Sequence, residues 1–202
     1  MVNTLPKVFI IESLSFKDEK LERFEGHFLS HILKQGGIDT EYFYIRTKKE
    51  FFEVLRIFNE SKYRYLHISC HGNEDGLSTT LDYITHLEFS KITKGHLENR
   101  RLFLSACSAT NRQFAVSVIP SAKCLSVIGP ATDIKFNDSA IVWASFYHLI
   151  FKENLKGMKR KNILPVLRTI VRTFKLQMNY YSSDNSMRSG VKGNIIKIKE
   201  DS

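Results

Sequence analysis

The chain has 202 residues, 43% hydrophobic and 25% charged, a composition that fills one globular domain without a disulfide or metal staple. Three cysteines without close pairing, no basic-then-apolar leader and no apolar run near the roughly 20 residues of a bilayer span argue for a reducing, cytoplasmic setting. The net charge of +9 is unevenly spread: residues 151–202 hold 12 basic and 4 acidic residues, whereas residues 1–150 hold 18 and 17.

Taken in chain order, Lys7–Ser13 is a compact β-branched and aromatic run that predicts a buried strand. Leu21, Phe24, Phe28, Ile32 and Leu33 at helical spacing predict one helix over Ser15–Gln35, closed by Gly36-Gly37. A second strand is expected over Ile38–Thr47 and a helix over Lys48–Ser61, followed by a third strand over Tyr63–Cys70 that runs into a turn at His71-Gly72-Asn73. Next come a hairpin across Leu77–Thr85, a short helix over Glu88–Leu97 and a fourth strand, Leu102–Ala106, that ends at Cys107. A helix over Asn111–Ser121, a fifth strand over Cys124–Gly129 and a helix over Asn137–Glu153 complete the balanced part of the chain. The basic quarter reads as an amphipathic helix over Asn162–Asn179 with Pro165 in its first turn, a loop over Ser182–Lys192 and a strand over Asn194–Lys199.

Continuous apolar strands separated by helices predict a mostly parallel sheet covered on both faces. The expected architecture is therefore a three-layer α/β/α sandwich of flavodoxin-like type, forming one domain over residues 1–202 with a basic helix and tail from about 155. Functional residues of such sheets gather at the carboxyl ends of the strands. Two of those ends carry reactive side chains, His71 in ISCHGNEDG and Cys107 in LFLSACSAT. If their strands are neighbours, both emerge at one sheet edge as a nucleophile beside a base. Cys107 just ahead of a helix would sit in electropositive surroundings, and Gly72 lets a backbone N–H approach a substrate as an oxyanion donor.

ISCHG followed by FLSAC, and then by VIGPATDIKFNDSAIVWASFYHLIF, resembles the caspase-like cysteine peptidases, in particular the CHAT branch. The likeness runs from about Lys7 to Phe174. It implies a caspase-like fold and a cysteine endopeptidase acting on protein or peptide substrates, with no cofactor. His71 would be the general base, Cys107 the nucleophile, and the backbone N–H groups of Gly72 and Cys107 the oxyanion hole. Asp138 matches the aspartate of the loop after the fifth strand, and Asp133 and Ser105 are further candidates for contact with substrate. Ser105 stands where metacaspase-type relatives carry an aspartate, and Pro130-Ala131-Thr132 where CHAT relatives often carry a tryptophan. Arg112 is the one arginine close after the cysteine. The likeness also implies regulated proteolysis in signalling, defence or cell death, under the control of a partner.

Plainer readings compete with these. Cys70, on the strand face opposite His71, and Cys124 read as buried small hydrophobes. Asp138 serves equally as an N-cap for a helix beginning near Ser139. The pairs His67/His71 and His27/His31 lack the third ligand of a metal site. The same fold with an inactive dyad would be a binding or adaptor module. A basic nucleic-acid-binding role would rest on the Lys156–Lys161 cluster alone, without interleaved aromatics.

Overall fold

The computed structural model describes residues 4–155 and 157–197. The chain runs β1 (Leu5–Glu12), α1 (Phe16–Lys20), α2 (Glu25–Gln35), β2 (Thr40–Tyr44), α3 (Lys48–Glu60), β3 (Tyr63–Ser69), β4 (His71–Asn73), β5 (Gly76–Ser78) and β6 (Tyr83–Thr85). It continues through α4 (His86–Thr93), β7 (Arg101–Ser105), α5 (Arg112–Ala122), β8 (Ser126–Pro130), α6 (Phe136–Glu153), α7 (Arg160–Phe174), β9 (Met178–Ser183) and β10 (Val191–Ile196). A seven-stranded sheet has the order β10-β9-β8-β7-β3-β1-β2, and β4-β5-β6 form a small second sheet. From β2 to β8 the main sheet is parallel; β9 and β10 close it antiparallel.

Strand alternation builds both covering layers. Phe9, Ile11, Leu66, Ile68, Leu102, Leu104 and Val127 face one core, shared with Phe51, Leu55 and Phe58 of α3, Phe89 of α4 and Phe114 and Val118 of α5. Val8, Ile10, Tyr65, Phe103 and Ile128 face the other, against Leu29 and Leu33 of α2, Trp143, Phe146 and Tyr147 of α6 and Ile163, Leu167 and Ile170 of α7. The expected three-layer α/β/α sandwich with a mostly parallel sheet is the observed one.

Several elements differ from expectation. The helix expected over Ser15–Gln35 is two helices, because Glu22 turns left-handed at φ 55° and the chain re-enters helix only at Glu25. Its expected apolar spacing mixed core and surface: Leu33 is buried but Leu21 and Phe28 are exposed, while Leu29, outside that spacing, is buried. His71-Gly72-Asn73 is a strand of the small sheet, paired with β5 (Gly72 opposite Leu77), and not a turn. The helix expected to Asn179 stops at Phe174, where Lys175 takes the left-handed C-cap conformation. Met178, which had extended the helical pattern, instead opens β9. That helix also starts earlier, at Arg160, which places Pro165 in its second turn. β10 begins at Val191, and residues 198 and 199 of the strand expected to Lys199 lie outside the described residues, as does Lys156 of the basic cluster. Among the described residues no helix is long and apolar enough to cross a membrane.

Candidate active site

The parallel pairing of β3 with β7 runs in register to Ser69 opposite Ser105, and Cys70 N–H still donates to Ser105 O at 3.1 Å. Two residues further along each strand stand His71 and Cys107, so both leave the same sheet edge from adjacent strands. Gly72 seals the junction. A Cβ there would lie 3.0 Å from Ala106 Cβ and 3.1 Å from Ala109 Cβ, tighter than side chains ordinarily pack, so glycine eases the close approach of the histidine strand to the cysteine turn.

The His71 ring is held from the other side. Its Nε2 is 2.7 Å from Asp18 Oδ2, across 53 positions of sequence. Asp18 sits in α1, whose N-cap Ser15 accepts from Asp18 N–H at 3.2 Å and donates from its hydroxyl to Asp18 Oδ2 at 2.5 Å. Arg23 Nη1 donates to the remaining oxygen, Oδ1, at 3.0 Å. Burial works to raise the Asp18 pKa, but the hydrogen bonds from Ser15, His71 and Arg23 prevail and hold it below the usual carboxylate range. An ionised carboxylate at Nε2 assigns the hydrogen there and leaves the lone pair on Nδ1. The imidazole is 44% exposed while Asp18 is buried, so the pair has a fixed inner end and an open outer end. Phe136, at the start of α6, packs edge-on to the His71 ring at 5.7 Å, and the Arg23 guanidinium lies 5.9 Å from the Phe136 ring.

Cys107 lies in the turn after β7, half-buried, with its thiol directed at Ile134 O, 3.6 Å away. The next residue, Ser108, has φ 52°, a left-handed conformation that costs a non-glycine residue about 1–2 kcal/mol and that the surroundings must hold. Those surroundings are specific. Asn111 Nδ2 donates to Glu74 O at 2.8 Å and to Ser108 O at 3.3 Å, and Asn179 Nδ2 donates to Thr110 O at 2.7 Å. Beneath the turn, a Cβ at Gly129 would meet Thr110 Oγ1 at 2.1 Å. The helix expected over Asn111–Ser121 runs from Arg112 to Ala122 and is capped by Asn111, whose side chain accepts from Phe114 N–H. Burial pushes the Cys70 thiol up to about 12 and the Cys124 thiol up to about 11, which leaves Cys107 as the one thiol of the three that is open to solvent.

Solved structures that share this arrangement of strands and helices include cysteine peptidases. The Arg-specific cysteine proteinase gingipain R superposes with a TM-score of 0.55 at 15% identity, over 85% of this chain and 43% of that one. The fold is caspase-like. A secreted C11 cysteine protease of Bacteroides thetaiotaomicron, iotapain, gives 0.55 at 10% identity, over 90% of this chain and 67% of that one. Caspase-1 of Spodoptera frugiperda gives 0.53 at 13% identity, over 96% and 88%. This chain thus spans under half of the gingipain and most of the caspase. No family model and no curated protein matches the sequence.

Within the caspase-like sheet the other expected site residues separate. Ser105 is buried one layer below the edge, its hydroxyl 2.6 Å from Ser139 Oγ on α6, so it braces the cysteine strand against that helix. Asp133 is exposed in the loop after β8 and accepts from Ser108 Oγ at 2.9 Å, tying that loop to the cysteine turn. Asp138 is not an N-cap: α6 begins at Phe136 behind Lys135, and Asp138 lies exposed in the first turn, accepting from Asn137 Nδ2 at 3.3 Å. His67, expected as a surface or packed histidine, is wholly buried against Trp143 and Tyr147. His27 and His31 contact each other on α2, and no group of three His, Cys, Asp or Glu converges on a metal-sized site among the described residues. Asp18, Arg23 and Phe136 were not singled out by sequence reasoning. The available signal was Ser15-x-x-Asp18 directly after the first strand, a capping pattern at a carboxyl strand end.

Proposed function

We propose that this chain is a cysteine endopeptidase of the caspase-like class, of CHAT type, acting through Cys107 and His71. The observation that carries the reading is the in-register pairing of β3 with β7, which supports His71 and Cys107 as edge neighbours, together with the carboxylate of Asp18 that turns the base nitrogen of His71 outward. In the proposed reaction His71 Nδ1 takes the thiol proton, and the sulfur attacks the carbonyl carbon of the scissile peptide. The negative charge that develops on the carbonyl oxygen is received by the backbone N–H groups of Gly72 and Cys107. Collapse breaks the C–N bond, the imidazolium gives its proton to the leaving amine, and a water deprotonated by His71 then releases the acyl group from sulfur. Asp18 does not transfer a proton; it positions the ring and stabilises its charged form. The single domain would act in the cytoplasm on protein substrates, in regulated signalling, defence or cell death.

The test compares wild type, Cys107→Ala and His71→Ala. Cys107→Ala is expected to lower cleavage of a peptide library by at least about 10³-fold with an unchanged thermal transition. His71→Ala is expected to slow iodoacetamide labelling of Cys107 and flatten its pH dependence. Cleavage retained without the sulfur, or labelling indifferent to His71, overturns the reading.

A further inference from the structure

His27 and His31 take no part in the proposed dyad, and both are exposed on α2, one helical turn apart. Residues four apart share a helix face, and two imidazoles so placed are a chelating pair for a divalent ion. Their Nε2 atoms lie 3.3 Å apart, with the ring planes at 87°. Protein N–H hydrogen bonds run shorter, at roughly 2.7–3.2 Å. The separation fits a shared tetrahedral ion instead, since two nitrogens each about 2.0–2.1 Å from one centre lie about 3.3–3.4 Å apart.

The first of the two rings is held in place by the fold. The Tyr42 ring of β2 packs against the His27 ring at 5.3 Å, and the Tyr42 hydroxyl donates to Glu12 Oε2 at 2.8 Å. The same Glu12 oxygen accepts from His27 N–H at 3.2 Å, so backbone and ring of His27 are fixed through one carboxyl group. That group also answers the electrostatic objection. A cation near the start of a helix is opposed by the helix dipole, and here the Glu12 carboxyl covers the first free N–H groups of α2. The nearest cation earlier in the chain, Arg23, is neutralised by Asp18 at 3.0 Å, and Lys34, three residues beyond His31, is exposed.

We propose that His27 and His31 chelate a divalent transition-metal ion of the zinc class through their two Nε2 atoms. Imidazole suits such ions, whereas magnesium and calcium take oxygen ligands. Among the described residues no third His, Cys, Asp or Glu converges on the pair, so water fills the remaining positions on the solvent side. The ion ties the first turn of α2 to the second and binds only where the helix has brought the rings together, so it stabilises the folded chain. The chelate is independent of the peptidase reading.

Zinc chloride titrated by calorimetry into Cys107→Ala, which removes the competing exposed thiol, tests the assignment. One ion per chain is expected to bind, and adding His27→Ala or His31→Ala should each weaken it by at least about 10-fold. His148→Ala, at an exposed histidine of α6 outside the pair, should leave the affinity unchanged. Zinc should raise the thermal transition of Cys107→Ala but not that of Cys107→Ala/His31→Ala, and magnesium should raise neither. Thermal transitions without metal show whether each variant is folded. Zinc affinity indifferent to the loss of both His27 and His31 overturns the proposal. So does the lack of any uptake at millimolar zinc, or an equal thermal shift by magnesium.

Discussion

Asp18 shows how much one side chain does in this molecule. It is the inner partner of His71, the second member of the Ser15 cap and the anchor of Arg23, which in turn covers Phe136. Asp18→Asn keeps the shape but offers an amide in place of a carboxylate, so the ring loses its anionic partner and the fixed assignment of its nitrogens. The expected outcome is a loss on the order of 10²-fold in kcat with KM little changed, because the interaction matters once positive charge develops on the ring. Steady-state kinetics on one peptide decides it: a change confined to KM would assign Asp18 to substrate binding instead. Asp18 also contributes to stability. Its pKa is lowered by folding, so its contribution is present above the ordinary aspartate value and is lost as pH falls below it.

At the scale of the element, α2 is started by a residue that does not belong to it. Phe24 provides no side-chain cap, and the free N–H groups of Gly26 and His27 are met by the carboxylate of Glu12, from the end of β1. Burial of Glu12 outweighs these hydrogen bonds and raises its pKa from 4.5 to about 7, with Glu25 adding repulsion. The folded protein therefore holds a proton that the unfolded chain releases, and stability falls as pH rises from about 4.5 to about 7, then levels off. The full effect is on the order of 3 kcal/mol. In Glu12→Gln, urea midpoints measured across this range are expected to lose most of that slope; an unaltered slope would place the titration elsewhere. Asp18 acts below this window, so the two contributions do not overlap.

Periodicity made most elements legible, because β1, β3, β7 and β8 are short apolar runs and each carries alternate residues into two cores. The motifs at the ends of β3 and β7 were legible for the same reason, since a strand fixes where its last residue points. The break between α1 and α2 was not, because it is set by bonds that span the fold: Asp18 to His71, and Glu12 to the start of α2. The partners of His71 lie around that break, so the missed kink and the missed site residues share one cause. β9 was hidden differently. Met178 fits a helical stripe as well as a strand, and only the left-handed Lys175 separates the two.

For the whole molecule, the excess positive charge belongs to the last quarter of the chain. Arg168, Arg172 and Lys175 are exposed on α7 while Ile163, Leu167 and Ile170 are buried, so a solvated cationic face accounts for them. The strands that follow have a structural duty. β9 lies between β8 and β10 and buries Met178, Tyr180 and Tyr181, at about 1.5–3 kcal/mol each. A chain ended at Lys175 is thus expected to lack a cooperative thermal transition, since the loss is comparable with the whole stability of a typical domain. A sharp transition in that truncated chain would show that the parallel strands fold alone. Asn179 of β9 also holds Thr110 O, in the turn that carries Cys107. On the ribosome Cys107 therefore emerges well before the strand that fixes its turn. At about 5–20 residues per second the delay is on the order of ten seconds, during which the turn that holds Cys107 lacks one of its side-chain clasps and the proposed nucleophile stays unassembled.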